Sequence, residues 1–114
     1  MTQEDKRFYP RIHALNLISY DCLDESGQVI MQGMGRTLNV SEGGILLETH
    51  VKIEPQTDVL LSIGLEDDLI EIKGNVITSK PGKEAKFESG IQFLKVGEAE
   101  FVILKLYITA FKEL

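Results

Sequence analysis

A small cluster of positive charge stands near the start of this chain, where Lys6, Arg7 and Arg11 lie close together. An arginine guanidinium is a planar fork that holds phosphate oxygens through paired hydrogen bonds. It also lies flat on an aromatic base or bonds to the O6/N7 edge of guanine. The residue types therefore suit an anionic nucleotide. The spacing alone favours a simpler interpretation, in which these are surface arginines on a frayed terminus.

A second polar cluster, residues 39–44, lies between two predicted strands and reads Asn-Val-Ser-Glu-Gly-Gly. Asn39 carries both a carbonyl acceptor and amide donors, which match a purine edge, and Ser41 adds a rotatable hydroxyl. Gly43 and Gly44 permit positive φ and a close approach of the backbone to a ligand. Taken alone, the pattern favours an ordinary tight connection between strands.

No other residue pattern in the chain is typical of catalysis. His13 and His50 are isolated in sequence, and neither has a Cys or His at metal-ligand spacing. The acidic residues 66–68 stand between two predicted strands and are typical of a solvated turn. Neither a P-loop nor the glycine pattern of dinucleotide-binding folds occurs. We therefore expect no enzyme activity, no metal site and no cofactor.

Length and composition indicate one folded domain over residues 1–114. The chain is 43% hydrophobic and 26% charged, and 12 Lys+Arg against 18 Asp+Glu give a net charge of -6. This negative charge argues against DNA or RNA as a partner, because nucleic-acid affinity comes largely from neutralising phosphates. The single cysteine, Cys22, fits a reducing compartment, and no signal peptide or membrane-spanning run is recognisable. We expect a cytoplasmic protein that is not inserted in a membrane.

Alternating apolar and polar residues, separated by turn residues, predict six strands. Four are predicted at residues 12–23, 29–38, 44–49 and 59–65, and two more lie around Ile72 and Ile91, joined by a hairpin loop at 79–83. Leu15 and Leu17 break the first alternation, which indicates a bulge or a second covered face. Gly33 and Gly35 mark a bend or a close backbone approach. Short connections favour a closed or nearly closed antiparallel barrel, because closure gives every strand two neighbours.

The last segment has a different periodicity. After Gly97, apolar residues recur at helical spacing through Phe101, Leu104, Ile108 and Phe111. The mostly apolar arc of this predicted helix spans roughly 220°, which is wider than one barrel face requires. The additional apolar residues of the helix either cover a second face of the barrel or contact another subunit. The first interpretation is slightly favoured, and a homodimer through the C-terminal helix stays open.

In this order and on a six-stranded barrel, the two polar clusters resemble the signature of the PilZ domain family. That signature is Arg-x-x-x-Arg near the start, then Asp/Asn-x-Ser-x-x-Gly after two strands. Here residues 7–11 read Arg-Phe-Tyr-Pro-Arg, and residues 39–44 supply the second part. Residues 90–93, Gly-Ile-Gln-Phe, are similar to the family's late Gly-Ile-x-Phe strand. The resemblance covers nearly the whole chain and implies a mostly β fold, a six-stranded antiparallel, PilZ-like split β-barrel with a C-terminal α-helix.

The resemblance implies a bacterial receptor for cyclic di-GMP. On that reading the two arginines take phosphates and guanine faces or edges, Asn39 and Ser41 recognise guanine polar atoms, and the glycines keep the segment close to the ligand. Asn39 stands where many relatives have Asp, and Lys6 where many carry a further arginine. The implied ligand-binding residues are Lys6, Arg7, Arg11, Asn39, Ser41, Gly43 and Gly44.

The polar residues 1–10 are expected to form a flexible arm that folds over bound ligand, since they have too little apolar content to pack alone. With no output domain in the sequence, the signal would pass in trans to an unidentified downstream protein. The alternative is a PilZ-like adaptor without nucleotide binding, for example in pilus or motility machinery. Such members typically lack the arginine pair, so Arg7 and Arg11 favour the receptor.

Overall fold

Six strands and one helix make up the part of the chain that the computed structural model describes, residues 15–114. In chain order they are β1 (Leu17–Leu23), β2 (Val29–Val40), β3 (Gly44–Thr49), β4 (Asp58–Leu65), β5 (Asp68–Pro81), β6 (Phe87–Phe93) and α1 (Glu98–Lys112). Every strand pairing is antiparallel, in the order β1-β2-β3-β6-β5-β4, and β4 pairs with β1 to close the barrel. The predicted fold class is confirmed.

The start of β1 differs from the prediction. Leu15 and Asn16 form a turn, so the strand begins at Leu17 and not at residue 12, while residues 12–14 lie outside the described part. The Asn16 carbonyl accepts a hydrogen bond from the backbone N–H of Thr37, with 2.7 Å between nitrogen and oxygen. Leu15 packs against the core and Leu17 is exposed. The broken alternation therefore marks the beginning of the strand, and not a bulge within it.

The second strand is longer than predicted, because it runs to Val40 and not to residue 38. Its pairing with β3 is irregular between Thr37 and Asn39. These two residues pair with consecutive residues of β3, so Leu38 between them has no partner on that strand. Such a bulge adds one residue to the strand and shifts the alternation. As a result Asn39 is exposed and Val40 is buried. Asn39 thus lies within β2, and only residues 41–43 connect the strands.

The hairpin between β5 and β6 lies later than the predicted loop at 79–83. Ser79 and Lys80 still pair across the sheet with Ser89 and Glu88, and the connection comprises residues 82–86. Its N–H at Gly82 donates to the Lys86 carbonyl at 2.8 Å. Glu84 and Ala85 have positive φ angles of 56° and 63° within the turn. Pro81 and the following glycine indicated a turn, but the strand continues to Pro81.

The core fills the barrel with the inward-facing residues of all six strands. Tyr20 lies against Gly33 and Leu47 against Gly35, where a Cβ on either glycine would come within 2.6 Å of the larger side chain. Of the two alternatives predicted for these glycines, a bend or a close approach to the backbone, the structure shows the close approach. The strand residues of the buried core are Ile18, Tyr20, Cys22, Val40, Ile45, Leu47, Val59, Leu61, Ile63, Ile70, Ile72, Val76, Ile91 and Phe93.

The predicted C-terminal helix is confirmed as α1, which packs beside β4 and β5. It inserts Leu104 and Tyr107 fully into the core, and the Tyr107 hydroxyl lies 3.0 Å from the Thr37 hydroxyl of β2 in a buried hydrogen bond. On its outer side Val102 and Leu106 remain 55% and 53% exposed. Within residues 15–114, no helix has the length and apolar character needed to cross a membrane.

Candidate functional site

An open groove of about 390 Å³ lies on the outer surface of the barrel, beside the junction of β2 and β3. Four of the predicted site residues line it together: Asn39, Ser41, Gly43 and Gly44. The opposite wall comes from Leu46 of β3 and from β5 and β6, two strands in which no site residue is predicted from the sequence. The lining side chains and glycines that it adds are Leu46, Ile77, Thr78, Gly90 and Gln92. Lys6, Arg7, Arg11 and His13 lie outside the described residues.

Backbone and side-chain hydrogen bonds fix the conformation of segment 39–44. The Oδ1 atom of Asn39 accepts a hydrogen bond from the backbone N–H of Val40 at 2.9 Å. The other group of this amide is therefore the Nδ2 donor. The Ser41 N–H donates to the Gly44 carbonyl at 2.9 Å, and its hydroxyl accepts from the Gly43 N–H at 3.3 Å. The N–H of Phe93 donates to the Gly43 carbonyl at 2.9 Å, which fixes the connection against β6.

The two adjacent glycines have different reasons to be glycine. Neither uses the positive φ that glycine permits, since Gly27 is the only glycine among residues 15–114 with that conformation. A Cβ on Gly44 would collide with the carbonyl oxygen of Ile91 on β6, whereas a Cβ on Gly43 would meet no atom within 4 Å. Gly44 therefore allows β3 and β6 to pack closely, and Gly43 keeps the space beside the groove open.

Substituting these glycines by alanine is expected to separate stability from binding. Gly44→Ala forces a backbone shift, and we expect it to lower the free energy of unfolding by about 1–3 kcal/mol. Gly43→Ala has space for its methyl group and should change stability by less than about 0.5 kcal/mol. Urea unfolding followed by circular dichroism measures both. Equal stabilities of the two variants would contradict the role assigned to Gly44.

The far wall of the groove follows from the strand register. Gly44 of β3 pairs with Gln92 of β6, and Leu46 pairs with Gly90. Gly90 in turn pairs with Thr78 of β5, where Ile77 is the extra residue of a bulge and is 46% exposed. At both glycines a neighbouring group lies where a Cβ would be, namely the Ile91 carbonyl oxygen at Gly44 and the Thr78 hydroxyl at Gly90. Alternation in β6 indicated which of its residues point outward, but gave no indication of their neighbours on β3.

The described lining of the groove carries no charged side chain. Within residues 15–114 its polar groups are the amides of Asn39 and Gln92 and the hydroxyls of Ser41 and Thr78, beside the apolar Leu46 and Ile77. Neutral donors and acceptors next to apolar surface suit the edge and face of an aromatic base. Phosphate groups instead require cations or a cluster of N–H donors. The described lining of the groove is thus suited to an aromatic base.

Arg36, the one arginine of the described chain, belongs to a separate charged cluster. Its Nε donates to the Glu48 carboxylate at 3.0 Å, and Lys86 lies 3.9 Å from the same oxygen. The hydrogen bond from Arg36 lowers the pKa of Glu48, and the positive charges of Arg36 and Lys86 add to this effect. Arg36 is therefore bound to the barrel's own carboxylate and does not line the groove.

Two further predictions concern residues away from the groove. Of the acidic residues 66–68, the first two form the tight turn from β4 to β5 and the third begins β5; Glu66 has a positive φ of 55°, and all three residues are exposed. His50 is exposed directly after β3. Both placements agree with the interpretation as surface turns. Among residues 15–114, no group of three or more His, Cys, Asp or Glu side chains is arranged to hold a metal ion.

Comparison with known proteins agrees with this architecture. No curated protein matches the chain. The crystal structure of the PilZ domain of CeSA from a cellulose-synthesizing bacterium is similar, with a TM-score of 0.58 and 13% sequence identity over 84% of this chain and 93% of that one. At this identity the likeness shows the fold alone. The sequence profile of the PilZ domain, however, matches residues 5–110. The chain therefore belongs to the PilZ domain family, which is in general a family of cyclic di-GMP receptors.

Proposed function

We propose that this domain is a receptor for cyclic di-GMP and that the groove takes one of the two guanine bases. The observation that carries the proposal is the placement of Asn39 and Ser41 along a groove whose described walls are polar but uncharged. Amide and hydroxyl groups of this kind match the edge of a base, and Leu46 and Ile77 offer apolar surface to its face. Membership in the PilZ family supports the same ligand.

The covalent chain supports a role for Arg7 and Arg11 at this groove. The described chain starts beside it, since Asn16 is hydrogen-bonded to Thr37, which precedes Asn39 by two residues. Arg11 precedes Asn16 by five residues. Even a fully extended segment therefore places its Cα no more than about 18 Å from that of Asn16. A long guanidinium side chain on so short a tether has access to a ligand seated in the groove.

Few cations are sufficient for a ligand that carries two phosphate groups. A charge-assisted hydrogen bond contributes about 1.5–3 kcal/mol, and a dissociation constant of about 1 μM corresponds to roughly 8 kcal/mol. Two arginines with the base contacts of the groove reach this range. We assign Arg7 and Arg11 to the phosphates and guanine faces, and Lys6 to an additional positive charge. The net charge of -6 repels longer nucleic acids and so favours the small ligand.

The proposed output is ordering of residues 1–10 over the ligand, which changes the surface offered to a downstream protein. Their polar composition supports this proposal, because such a segment gains most of its contacts from the ligand. Saturating cyclic di-GMP is expected to slow amide exchange in residues 1–10, as measured by hydrogen exchange with mass spectrometry. Unchanged exchange in a sample shown to be saturated would rule out this switch.

The proposed setting is the bacterial cytoplasm, where the domain acts on a separate protein and catalyses no reaction. The buried, unpaired Cys22 supports a reducing compartment. A homodimer through α1 stays a prediction, and the exposed Val102 and Leu106 provide apolar surface for it. Sedimentation with and without cyclic di-GMP measures the oligomeric state.

Titration calorimetry with cyclic di-GMP tests the proposed function. We expect saturable binding of cyclic di-GMP with a micromolar or lower dissociation constant, and no binding of the mononucleotide GMP under the same conditions. Absence of binding by the folded full chain would overturn the receptor assignment. The remaining hypothesis for the function would then be an adaptor that works through protein contacts alone.

A further inference from the structure

Gln92 occupies a distinctive place in the groove. It lies on the outer face of β6, exposed, with Gly44 of β3 as its direct partner on one side. Gly44 places no side chain next to the Gln92 amide, since the Ile91 carbonyl oxygen lies where its Cβ would be, and the amide lines the groove. On the other side Asn75 of β5 donates its amide to Asp58 at 2.9 Å. The Asn75 amide is thus hydrogen-bonded to another residue of the barrel, whereas the Gln92 amide lines the groove.

Asn39 and Gln92 stand on opposite sides of β3. Since β2 and β6 both pair with β3, their backbones lie two strand spacings apart, about 9.5 Å. Asn39 pairs with Leu46 and Gln92 pairs with Gly44, so the two residues are also offset by two positions along β3, about 7 Å. Both amides line the same groove, and a flat base lying diagonally across it would turn one polar edge toward each of them.

The two amides have complementary roles. The Oδ1 atom of Asn39 is engaged by the Val40 N–H, so Asn39 offers Nδ2 donors, which match the O6 and N7 acceptors of guanine. The other edge of guanine carries the N2 amino donor and requires an acceptor. On the wall formed by β5 and β6, the Thr78 hydroxyl lies close over Gly90. Gln92 has the longer reach, and its Oε1 atom is such an acceptor.

We propose that Gln92 is a base-recognition residue of this site, whose Oε1 accepts a hydrogen bond from the guanine N2 amino group. The inference rests on the proposed binding of cyclic di-GMP and adds to it the residue that reads one edge of the base. It predicts that affinity depends on the N2 amino group, and that this dependence passes through Gln92.

The test combines a residue change with the deletion of one ligand group. Titration calorimetry compares cyclic di-GMP with cyclic di-IMP, whose hypoxanthine bases lack only the N2 amino group, in the full chain and in Gln92→Met. Methionine keeps the length and apolar stem of glutamine. The control is Gln32→Met on the outer face of β2, where Gln32 is exposed, donates to Asp21 at 3.0 Å and does not line the groove.

The unchanged protein is expected to bind cyclic di-GMP roughly 3- to 10-fold more tightly than cyclic di-IMP, the range of one neutral hydrogen bond. In Gln92→Met the two ligands should bind equally, while Gln32→Met should keep the preference. A preference that persists in Gln92→Met, or that is missing in the unchanged protein, overturns the inference and leaves the proposed function standing. Failure of the unchanged protein to bind either ligand overturns both.

Discussion

Replacing Arg11 with alanine is expected to raise the dissociation constant for cyclic di-GMP by about 10- to 150-fold, the equivalent of about 1.5–3 kcal/mol. The reason is that, in the proposed site, the groove contacts the guanine base whereas the N-terminal cations contact the phosphate groups. The described lining of the groove holds no charged side chain, and the proposed function assigns attraction for the phosphate groups to Lys6, Arg7 and Arg11. Arg11 directly follows the arm of residues 1–10 and is the one of the three that is nearest in sequence to the groove. Titration calorimetry at constant ionic strength measures the change.

Arg36→Ala is the matched control for this experiment. It removes the same side chain from the same protein, but at a position that is bonded to Glu48 and lies outside the groove lining. We expect its affinity to stay within about twofold of the unchanged protein and its stability to fall by about 0.2–1 kcal/mol. If Arg11→Ala binds as tightly as Arg36→Ala, Arg11 does not hold the ligand, and its assignment to the site is wrong.

Replacing Tyr107 with alanine is expected to lower the free energy of unfolding by about 3–5 kcal/mol, as for other large aromatic residues of a core. Tyr107 is fully buried, and its hydroxyl is paired with that of Thr37. Tyr107→Phe isolates the hydrogen bond. It keeps the ring but leaves the Thr37 hydroxyl buried without this partner, at a cost of about 1–3 kcal/mol. Urea unfolding followed by circular dichroism measures both variants.

A double variant decides whether the bond itself is responsible. Thr37→Val combined with Tyr107→Phe removes both hydroxyls together and leaves no unpaired group. Its loss of stability should be smaller than the sum of the two single losses. Additive losses would show that the two hydroxyls do not stabilise each other, and that the cost of Tyr107→Phe has another origin.

The fold was predictable because its signals are local. Alternation around Ile72 and Ile91 predicts strands from neighbouring residues alone, and the spacing of Leu104 and Ile108 does the same for the helix. Gly33 likewise indicated a bend or a close approach from its residue type alone, although its contact, Tyr20, belongs to the neighbouring strand β1. The bounds of elements were less accurate where a bulge shifted the alternation, as it does before Asn39 at the end of β2.

The full site was not predictable, because it depends on register between strands that are distant in sequence. Segment 39–44 was identified from its residue types, but the pairing of Gly44 with Gln92 joins positions on either side of two intervening strands. No local pattern specifies that pair. The role of Gly44 illustrates the same limit: its collision partner is the carbonyl oxygen of Ile91, and this contact exists only once β3 and β6 lie side by side.

Closure of the barrel also restricts how this domain recruits a partner protein. In the described chain β4 returns to β1, so each of the six strands has a neighbour on both sides. A free strand edge, which some signalling domains use to capture an extended peptide by strand addition, is therefore lacking in residues 15–114. Recognition of a downstream protein through this part of the molecule has to rely on side chains of the outer sheet face, the turns or α1. Substitutions that abolish such an interaction should accordingly map to exposed side chains such as Val102 and Leu106.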